Sequence, residues 1–382
     1  MAGQTILILG GGIGGVVAAN RLRKRLHRRH RVILVDREPS FALAASFLWV
    51  MTGDRRPEQI SRPLARLARK GIEVVVGEVQ GIDPERRQAV VDGQTLTADH
   101  LVVALGAEFA PDSIPGLAEA GLTFCTLDGA VALRDALVRL RSGRIVVLTA
   151  APAYKCPAAP YEAALLIDGL LRRSGQHPAV ELELHTAEAG PMGVAGPEVS
   201  AAVRAMVEQQ GIPYRPEHQI TRTEAHRVVF ADGTQTDFEL LVYVPSVQPP
   251  RVLRDSGLAD ETGWVRVDRH SLETRYPRVY AVGDVTLIPL ALGRPLPRAG
   301  VFAHAQAEVV ARNIAAAVNG QVSRERFSGW GACFIETGGG RAGYGAGDFY
   351  AEPRPVVRMR HPGRLWHLGK VLFEKQVMWQ WL

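Results

Sequence analysis

Three cysteines, Cys125, Cys156 and Cys333, are the only thiols in this 382-residue sequence. They are too few and too far apart for the disulfide scaffold of a small secreted protein, and zinc sites usually take their ligands in closely spaced pairs. None of the 11 histidines forms a metal-like pair, so we expect no metal site. The chemistry that remains for these cysteines is redox chemistry, in which thiols and disulfides exchange.

A second group of residues could hold a phosphate-bearing ligand. Gly10, Gly12 and Gly15 lie between an apolar run and a stretch of helical spacing, and Asp36 ends the next apolar run. In such a strand, turn, helix and strand unit, the first glycine permits a tight turn and the second lets the backbone approach a pyrophosphate. The third lets the helix pack on the strand, and the acid accepts hydrogen bonds from a ribose. The sequence therefore predicts a dinucleotide site.

A late segment indicates which dinucleotide binds. Gly283 and Asp284 follow an apolar strand in RVYAVGDVT (278–286). An aspartate in this place can accept a hydrogen bond from the ribityl chain, which FAD has and NAD lacks. Because this strand comes far after the first one, we expect an FAD-binding domain that is interrupted by an inserted domain.

This layout resembles that of the flavoprotein disulfide reductases, which have two dinucleotide domains. The strand end at residues 101–109 is similar to their ATG motif, with Gly106 kept and Leu105 in place of the usual threonine. The resemblance also implies that a helix over 301–318, just after Gly300, points its positive end at the flavin. Arg298 either adds to that charge or is a plain exposed arginine.

The inserted region repeats the pattern of strand, helix and meander, which predicts a second nucleotide-type domain. Where a second glycine motif would follow its first strand, the chain has TAAPAYKCPAAPYEAALL (149–166), without a glycine. Prolines 152, 157 and 160 cannot supply the amides of a phosphate cradle. We therefore expect no NAD(P)H binding by the usual route.

The predicted fold class is α/β. It has two Rossmann-like dinucleotide-binding domains, with the FAD domain interrupted by the second one, and a small C-terminal membrane or interface segment. The expected limits are 1–115 and 267–320 for the two parts of the FAD domain, 116–266 for the second domain, and 321–382 for a C-terminal region with a redox cysteine and an amphipathic tail.

The segments around the cysteines carry a more specific resemblance. KCPAAPYE (155–162) is similar to the CPxxPYE segment of sulfide:quinone oxidoreductases and of the flavoprotein subunit of flavocytochrome c sulfide dehydrogenases. FCTLDGA (124–130) and WGACFIETGGG (330–340) resemble the first and last cysteine segments of this family. The resemblance covers nearly the whole chain, and all three cysteines fall on the cysteine positions of the quinone-reducing members.

This resemblance implies roles for four residues. Cys156 and Cys333 would flank the flavin and carry a growing sulfur chain, one of them adding transiently to the flavin; the alternative is two buried apolar thiols. The counterpart of Cys125 is linked to the flavin or holds a persulfide in some relatives and is dispensable in others. Glu162 is either a proton acceptor or an acid that stabilises a helix N-terminus.

The expected function is FAD-dependent oxidation of hydrosulfide to zero-valent sulfur, with electrons passed to a membrane quinone. One alternative is a sulfide dehydrogenase that delivers electrons to a cytochrome c. A type II NADH:quinone dehydrogenase is disfavoured by the missing second glycine motif. A flavin redox sensor without sulfide-dependent turnover is the non-enzymatic alternative.

Composition and the two chain ends bear on location and partners. We expect no secretory signal, because the N-terminal residues enter the first apolar run at once. No apolar run reaches the roughly 18 residues that cross a bilayer. We interpret the basic run at residues 21–31 as a solvated helix face. We expect sulfide and quinone as substrates, no nucleic acid, and a homo-oligomer as an option.

The C-terminal tail is the expected membrane contact. Its last 18 residues hold three of the six tryptophans, and Lys370 and Lys375 are available for lipid phosphates. The apolar residues at helical spacing are Leu368, Val371, Leu372, Met378, Trp379 and Leu382. We expect a cytoplasmic protein that is peripherally attached to the inner face of the cell membrane. The alternative is a helix buried against the body or a partner subunit.

Overall fold

The computed structural model describes residues 3–322 and 325–382. Its first sheet has five parallel strands, which are in spatial order Val279–Ala281, His100–Val103, Thr5–Leu9, Arg31–Asp36 and Glu73–Val76. The edge strand that comes last in sequence returns to this sheet after the chain has formed a second one. This arrangement confirms the predicted α/β class with an interrupted first domain.

The central strand, Thr5–Leu9, is apolar along its whole length because both of its faces are covered. Ile6 and Ile8 belong to one hydrophobic cluster, whereas Leu7 and Leu9 belong to another on the opposite face. All four side chains are fully buried. Strands of a parallel sheet between two covering layers show such continuous apolar runs, without the alternation of a half-exposed strand.

Two helices pack against each other on the side of Ile6 and Ile8. One is Ile13–Arg25, which begins directly after the glycine turn, and the other is Gly300–Val318. Gly12 is the N-cap of the first helix, so the predicted glycine turn leads directly into it.

A second five-stranded parallel sheet repeats the plan of the first. Its strands are in spatial order Gly121–Leu122, Leu240–Val244, Gly143–Thr149, Val180–His185 and Tyr214–Arg215. Its helices are Leu127–Arg139, Ala159–Ser174 and Pro197–Gln209. In both sheets the strand that opens the βαβ unit is central and the strand that follows the meander lies beside it. The predicted internal repeat is therefore confirmed.

Each meander forms a small antiparallel sheet of its own. The strands of the first are Val79–Asp83, Gln88–Val91 and Gln94–Thr97, and those of the second are Ile220–Glu224, Arg227–Phe230 and Gln235–Asp237. The two chain segments that connect the parallel sheets also pair with each other, through Glu108–Phe109 and Val247–Gln248. The domain limits at residues 115, 266 and 320 stay predictions.

A third unit closes the chain. Its antiparallel strands are Trp330–Glu336, Ala342–Asp348 and Val356–Gly363, and the C-terminal helix Arg364–Gln380 follows them. The end of this helix is held on the first unit. Asn20 Nδ2 donates a hydrogen bond to Trp381 O at 2.9 Å, and Lys70 Nζ donates one to Gln380 O at 2.8 Å.

Several short strands and helices connect these larger elements. They are the strands Ser40–Ala42, Ser61–Pro63, Val265–Arg266 and Thr286–Leu287, and the helices Phe47–Met51, Pro57–Ile60 and Leu117–Ala120. Across residues 3–322 and 325–382, no helix has the length and apolar character needed to pass through a bilayer.

Candidate active site

The turn after the first strand has the geometry of a pyrophosphate cradle. Gly10 has φ of +105°, and a Cβ on it would lie 2.3 Å from Ala104 O. A Cβ on Gly15 would lie 1.8 Å from Gly10 O, so this residue sets the close approach of helix and strand. At Gly12 a Cβ would meet no protein atom within 4 Å. The open side of the turn is thus where a phosphate can approach the helix N-terminus.

Asp36 lies at the end of the second strand and faces the same turn. Its Oδ2 accepts a hydrogen bond from Gly11 N, and its Oδ1 accepts one from Glu38 N at 2.7 Å. The carboxylate therefore fixes the glycine turn, at the strand end where a dinucleotide ribose is held in this fold.

A second wall of the site comes from the late segment of the chain. Gly283 N donates to Gln306 Oε1 at 2.6 Å, and Asp284 O accepts a hydrogen bond from Arg298 Nε at 3.1 Å. Arg298 lies 3.7 Å from the centre of the Trp264 ring. Arg298 is partly buried, so it is not the exposed arginine of the alternative interpretation, and burial lowers its pKa.

Two helix N-termini meet beside this wall. A Cβ on Gly300 would lie 2.5 Å from Ile13 Cδ1, so the helices that begin at these two residues approach each other closely. Gly106, with φ of +70°, has open space on the side where a Cβ would be. Because helix N-termini carry partial positive charge, this part of the site suits an anionic cofactor.

Cys156 lies in a loop that is tied to this wall. Its N donates a 2.8 Å hydrogen bond to Arg298 O, and Lys155 Nζ lies 3.4 Å from Asp284 Oδ2. Cys156 itself has φ of +58°, a left-handed conformation that costs a residue other than glycine about 1 kcal/mol or more. The cysteine of the second unit is thereby positioned on the dinucleotide site of the first.

Cys333 lies in the third unit, on strand Trp330–Glu336. Burial raises the pKa of the Cys156 thiol well above its ordinary range, and the neighbouring Cys333 raises it further. Burial likewise raises the pKa of Cys333 to about 11. Helix Ala159–Ser174, which begins just after Cys156, packs against the strand that carries Cys333. The structure therefore places the two predicted redox cysteines on neighbouring elements, both as free thiols.

Cys125 belongs to the same electrostatic environment. Burial raises the pKa of its thiol to about 11, against the lowering effects of a Thr123 hydrogen bond and the charge of Lys155. Cys125 in turn contributes to the raised pKa of Cys156. All three thiols therefore favour uncharged forms, which are the thiol and the disulfide rather than the thiolate.

Glu162 forms a buried ion pair beside these thiols. It lies in the first turn of helix Ala159–Ser174, and its Oε1 accepts hydrogen bonds from Lys370 Nζ at 2.7 Å and from Glu336 N at 2.8 Å. Burial lowers the pKa of Lys370, but Glu162 and Glu336 more than offset this, and the pKa is raised. Lys370 is the cation that lowers the pKa values of Cys156 and Cys333.

The prediction that Lys370 reaches lipid is wrong. Its side chain is on the inner face of the C-terminal helix, because an ionised Glu162 at this depth requires a partner. The buried residues of this helix and its end are Lys370, Glu374, Val377, Met378, Trp381 and Leu382. The large apolar residues that it exposes are Leu365, Leu368, Leu372, Phe373 and Trp379. The signal that sequence reasoning missed is a pair of charged residues on the inner face of the helix. Lys370 and Glu374 lie one helical turn apart, on the same face as Val377 and Met378.

Two further residues were also missed. Glu336 Oε2 lies 2.9 Å from His367 Nδ1, and burial raises the pKa of Glu336. Both residues line a cavity of about 190 Å³. The available signal was the position of Glu336, an acid at the end of the apolar run that contains Cys333.

The second unit uses its own strand-end acid internally. Glu188 follows strand Val180–His185, which corresponds in the sheet order to the strand that ends in Asp36. Glu188 Oε1 accepts hydrogen bonds from Tyr161 Oη at 2.7 Å and from Tyr154 Oη. An acid that would hold a ribose in a nucleotide-binding unit instead supports the loop before Cys156.

These features define a flavin-dependent oxidoreductase with two dinucleotide-type domains. The chain belongs to the pyridine nucleotide-disulphide oxidoreductase family, whose model matches residues 4–308. The cofactor is FAD, as the interrupted fold and the late Gly283–Asp284 segment predict. In the described residues, no group of three or more histidine, cysteine, aspartate or glutamate side chains is placed to hold a metal ion.

Similar proteins confirm the more specific resemblance. The chain is 27% identical to a sulfide-quinone reductase of Aquifex aeolicus over 98% of this chain and 90% of that protein. It is 24% identical to a mitochondrial sulfide:quinone oxidoreductase of Mus musculus over 91% and 79% of the two chains. The crystal structure of the sulfide:quinone oxidoreductase from Aquifex aeolicus has a TM-score of 0.90, with 26% identity, and covers 99% of this chain and 91% of that one.

Proposed function

We propose that this protein oxidises hydrosulfide to zero-valent sulfur at Cys156 and Cys333 and passes the electrons through FAD to a membrane quinone. The observation that carries the proposal is the packing of the Cys156 loop and its helix against the strand of Cys333, beside the buried Glu162–Lys370 pair. The names of the relatives with near full-length similarity support the substrates.

The sulfur step can be written with balanced atoms and electrons. In the oxidised enzyme a sulfur bridge joins Cys156 and Cys333, and hydrosulfide attacks one of its sulfurs. One S–S bond forms, one breaks, and the leaving cysteine departs as a thiolate beside the cationic Lys370. Loss of the proton from the resulting persulfide and of two electrons rejoins the bridge with one added sulfur. Each hydrosulfide thus yields one zero-valent sulfur, one proton and two electrons.

The raised pKa values of the two cysteines favour this cycle. Because burial raises the pKa values of Cys156 and Cys333, two thiolates are costly here and an uncharged sulfur bridge is not. Lys370 offsets the cost for the one thiolate that has to leave. Glu162 is the proposed first acceptor of the persulfide proton.

The cofactor-holding residues follow from the geometry of the two walls. Gly10, Gly12, Gly15 and Asp36 would hold the adenosine and pyrophosphate part of FAD. The isoalloxazine and ribityl part would be held by Gly106, Gly283, Asp284, Arg298 and Gly300. When bound, FAD stores two electrons between the sulfur step and the quinone step.

The proposed place of the protein is the membrane surface. The C-terminal helix exposes Leu365, Leu368, Leu372 and Trp379 on its outer face, with exposed fractions from 51% to 82%. Such a face suits the boundary between lipid headgroups and acyl chains, where a quinone is accessible. We propose peripheral attachment to the cytoplasmic face of the cell membrane, with a homo-oligomer as a further possibility for the arrangement there.

The test is an anaerobic half-reaction with purified, FAD-loaded protein. Sulfide is added while the flavin absorbance is followed, and a short-chain quinone is added afterwards. Cys156→Ala and Cys333→Ala are compared with Cys125→Ala and with the wild type. We expect bleaching by sulfide and recovery with quinone, both lost in the first two variants.

The opposing outcomes are distinct. Absence of bleaching by sulfide, or bleaching by NADH instead, would contradict the proposal and leave the FAD-dependent oxidoreductase class standing. Recovery with oxidised cytochrome c but not with quinone would support the sulfide dehydrogenase alternative. Loss of activity in Cys125→Ala alone would move the sulfur chemistry to a different pair.

A further inference from the structure

Glu336 has a buried carboxyl group, and one of its oxygens has no hydrogen-bond partner among the described residues. Its side chain is 1% exposed, and its Oε2 contacts His367 Nδ1 at 2.9 Å. Its Oε1 is buried and has no hydrogen-bond partner among the described residues. A buried polar atom without a partner is rare in folded proteins, and it commonly marks a water position or a group that takes part in chemistry.

A cavity begins at this residue and extends to the surface. Its volume of about 190 Å³ is far more than the roughly 10–15 Å³ that one water molecule needs. Glu336 forms the buried end, and Gly339, Gly340 and the half-exposed Arg173 form the outer end. His367, which is one-third exposed, lines the same space. Water in this cavity would connect Glu336 and His367 with solvent.

The backbone of Glu336 is also hydrogen-bonded to the buried ion pair. Glu336 N donates a 2.8 Å hydrogen bond to Glu162 Oε1, the oxygen that Lys370 also contacts. The charges of Glu162 and Lys370 both act on the Glu336 carboxyl. Glu336 therefore lies between Glu162, the proposed acceptor of the persulfide proton, and the cavity.

We propose that Glu336 and His367 carry the proton released at the cysteines from the Glu162–Lys370 pair to the cavity and out to solvent. This inference rests on the proposed function, in which each hydrosulfide gives one zero-valent sulfur, two electrons for the flavin and one proton. The proton passes to Glu162, then through a water at the unpartnered Oε1 to the Glu336 carboxyl, and then through His367 and cavity water. Neither residue contacts the sulfur atoms, so both act in proton transfer only.

Other charged groups set the environment of this route. Three of these groups line the cavity, and the fourth lies on the C-terminal helix and forms an ion pair with one of the three. They are Asp54, Arg55, Arg173 and Glu374, with Arg55 Nε at 2.8 Å from Glu374 Oε1. Glu162 and Lys370 face Glu336 from two helices, and His367 faces it from the second of these. The pH profile of the route therefore belongs to the whole group.

The test separates the two half-reactions of the FAD-loaded protein. Bleaching by sulfide is followed in single turnover across pH, in water and in deuterium oxide, for Glu336→Gln and His367→Ala. Reoxidation of dithionite-reduced protein by quinone is the internal comparison, because it releases no proton at the cysteines. Matched controls are Glu352→Gln, whose side chain is 70% exposed, and His361→Ala, which is exposed.

We expect Glu336→Gln to slow bleaching by roughly 10²-fold, the lower end of what a positioned acid or base contributes. His367→Ala should slow it less, and added imidazole should restore it. Both variants should show a larger solvent isotope effect and an altered pH profile, with quinone reoxidation unchanged.

Three results would overturn the relay. The first is that sulfide bleaches both variants as fast as the wild type. The second is that a variant slows both half-reactions equally. The third is that His367→Ala is slowed and imidazole does not restore its rate. Since His367 is partly exposed, its alanine variant tests the relay even where Glu336→Gln fails to fold. Wild-type protein that sulfide does not bleach would instead contradict the proposed function itself.

Discussion

Lys370 Nζ donates a 2.7 Å hydrogen bond to Glu162 Oε1 across 208 positions of sequence. Their side chains are 7% and 4% exposed. The pair joins the C-terminal helix to helix Ala159–Ser174, which begins just after Cys156. It therefore connects the surface-exposed helix to the cysteine site directly.

Lys370→Met should destabilise the protein strongly. Removal of one partner leaves the other charge buried without compensation, which costs about 3–5 kcal/mol of the free energy of unfolding. Lys375→Met, an exposed lysine on the same helix, should change it by about 0.5 kcal/mol or less. Urea denaturation of the FAD-loaded proteins measures both.

The double variant Glu162→Gln/Lys370→Met supplies the check on this explanation. Two apolar or neutral groups need no charge compensation, so the double variant should recover part of the lost stability. If Lys370→Met alone were as stable as the Lys375→Met control, the ion pair would not form.

The same pair should shift the thiol pKa values in opposite directions. Lys370 stabilises the thiolates of Cys156 and Cys333, so Lys370→Met should raise both pKa values. Glu162 disfavours the thiolates, so Glu162→Gln should lower them. The measurement is the pH dependence of alkylation by iodoacetamide in reduced Cys125→Ala protein, where these two thiols alone remain.

At a fixed pH below the thiol pKa values, alkylation should therefore slow in Lys370→Met and accelerate in Glu162→Gln. Lys375→Met should leave the profile unchanged. Shifts of both variants in the same direction would indicate that access to the thiols, and not the charge beside them, controls the reaction.

Local patterns explain how much of this site could be predicted from the sequence. Gly10, Gly12, Gly15 and Asp36 act within one βαβ unit, so their spacing alone encodes the turn, the close packing and the strand-end acid. The cysteine pair lies 177 positions apart, from Cys156 to Cys333. Its prediction came from family resemblance, because no local rule brings such distant residues together.

Residues that depend on tertiary packing could not be found in this way. Lys370 has Leu368, Val371 and Leu372 close by in sequence, and an isolated amphipathic helix with this pattern is typical of a membrane surface. Which side of the helix turns inward is decided by Glu162 on a distant helix. Glu336 and His367 likewise become a pair only when strand and helix pack.

Two glycines of the cradle should respond differently to alanine. Gly10→Ala combines φ of +105° with a Cβ at 2.3 Å from Ala104 O, so the turn has to distort and the protein should unfold at lower urea concentration. Gly12 has φ of −71° and open space, so Gly12→Ala should fold normally without FAD. Its Cβ would occupy the approach of the pyrophosphate and weaken FAD binding by roughly tenfold or more, about 1.4 kcal/mol.

Flavin content and the stability of the FAD-free protein measure these two effects separately. Gly53→Ala is the matched control for positive φ, since Gly53 has φ of +78° and open space away from the cradle. Normal FAD binding by Gly12→Ala would contradict the placement of the pyrophosphate at this turn.

Membrane attachment should depend on the outer face of the C-terminal helix. Leu368 and Leu372 are 51% and 57% exposed and lie one helical turn apart. Burial of the exposed half of two leucines contributes roughly 1.5–3 kcal/mol to binding, on the scale for a fully buried leucine. Leu368→Glu/Leu372→Glu should therefore weaken binding to phospholipid vesicles by roughly tenfold or more.

Vesicle co-sedimentation measures this binding, and Val138→Glu is the control. Val138 is 63% exposed on helix Leu127–Arg139, which belongs to the second unit. Reduction of a water-soluble quinone should persist in the double variant, because the substitutions change attachment and leave the cysteines and the dinucleotide cradle intact. The vesicle contact would belong to another surface if the double variant bound as tightly as the wild type. The same would follow if Val138→Glu lost as much binding as the double variant.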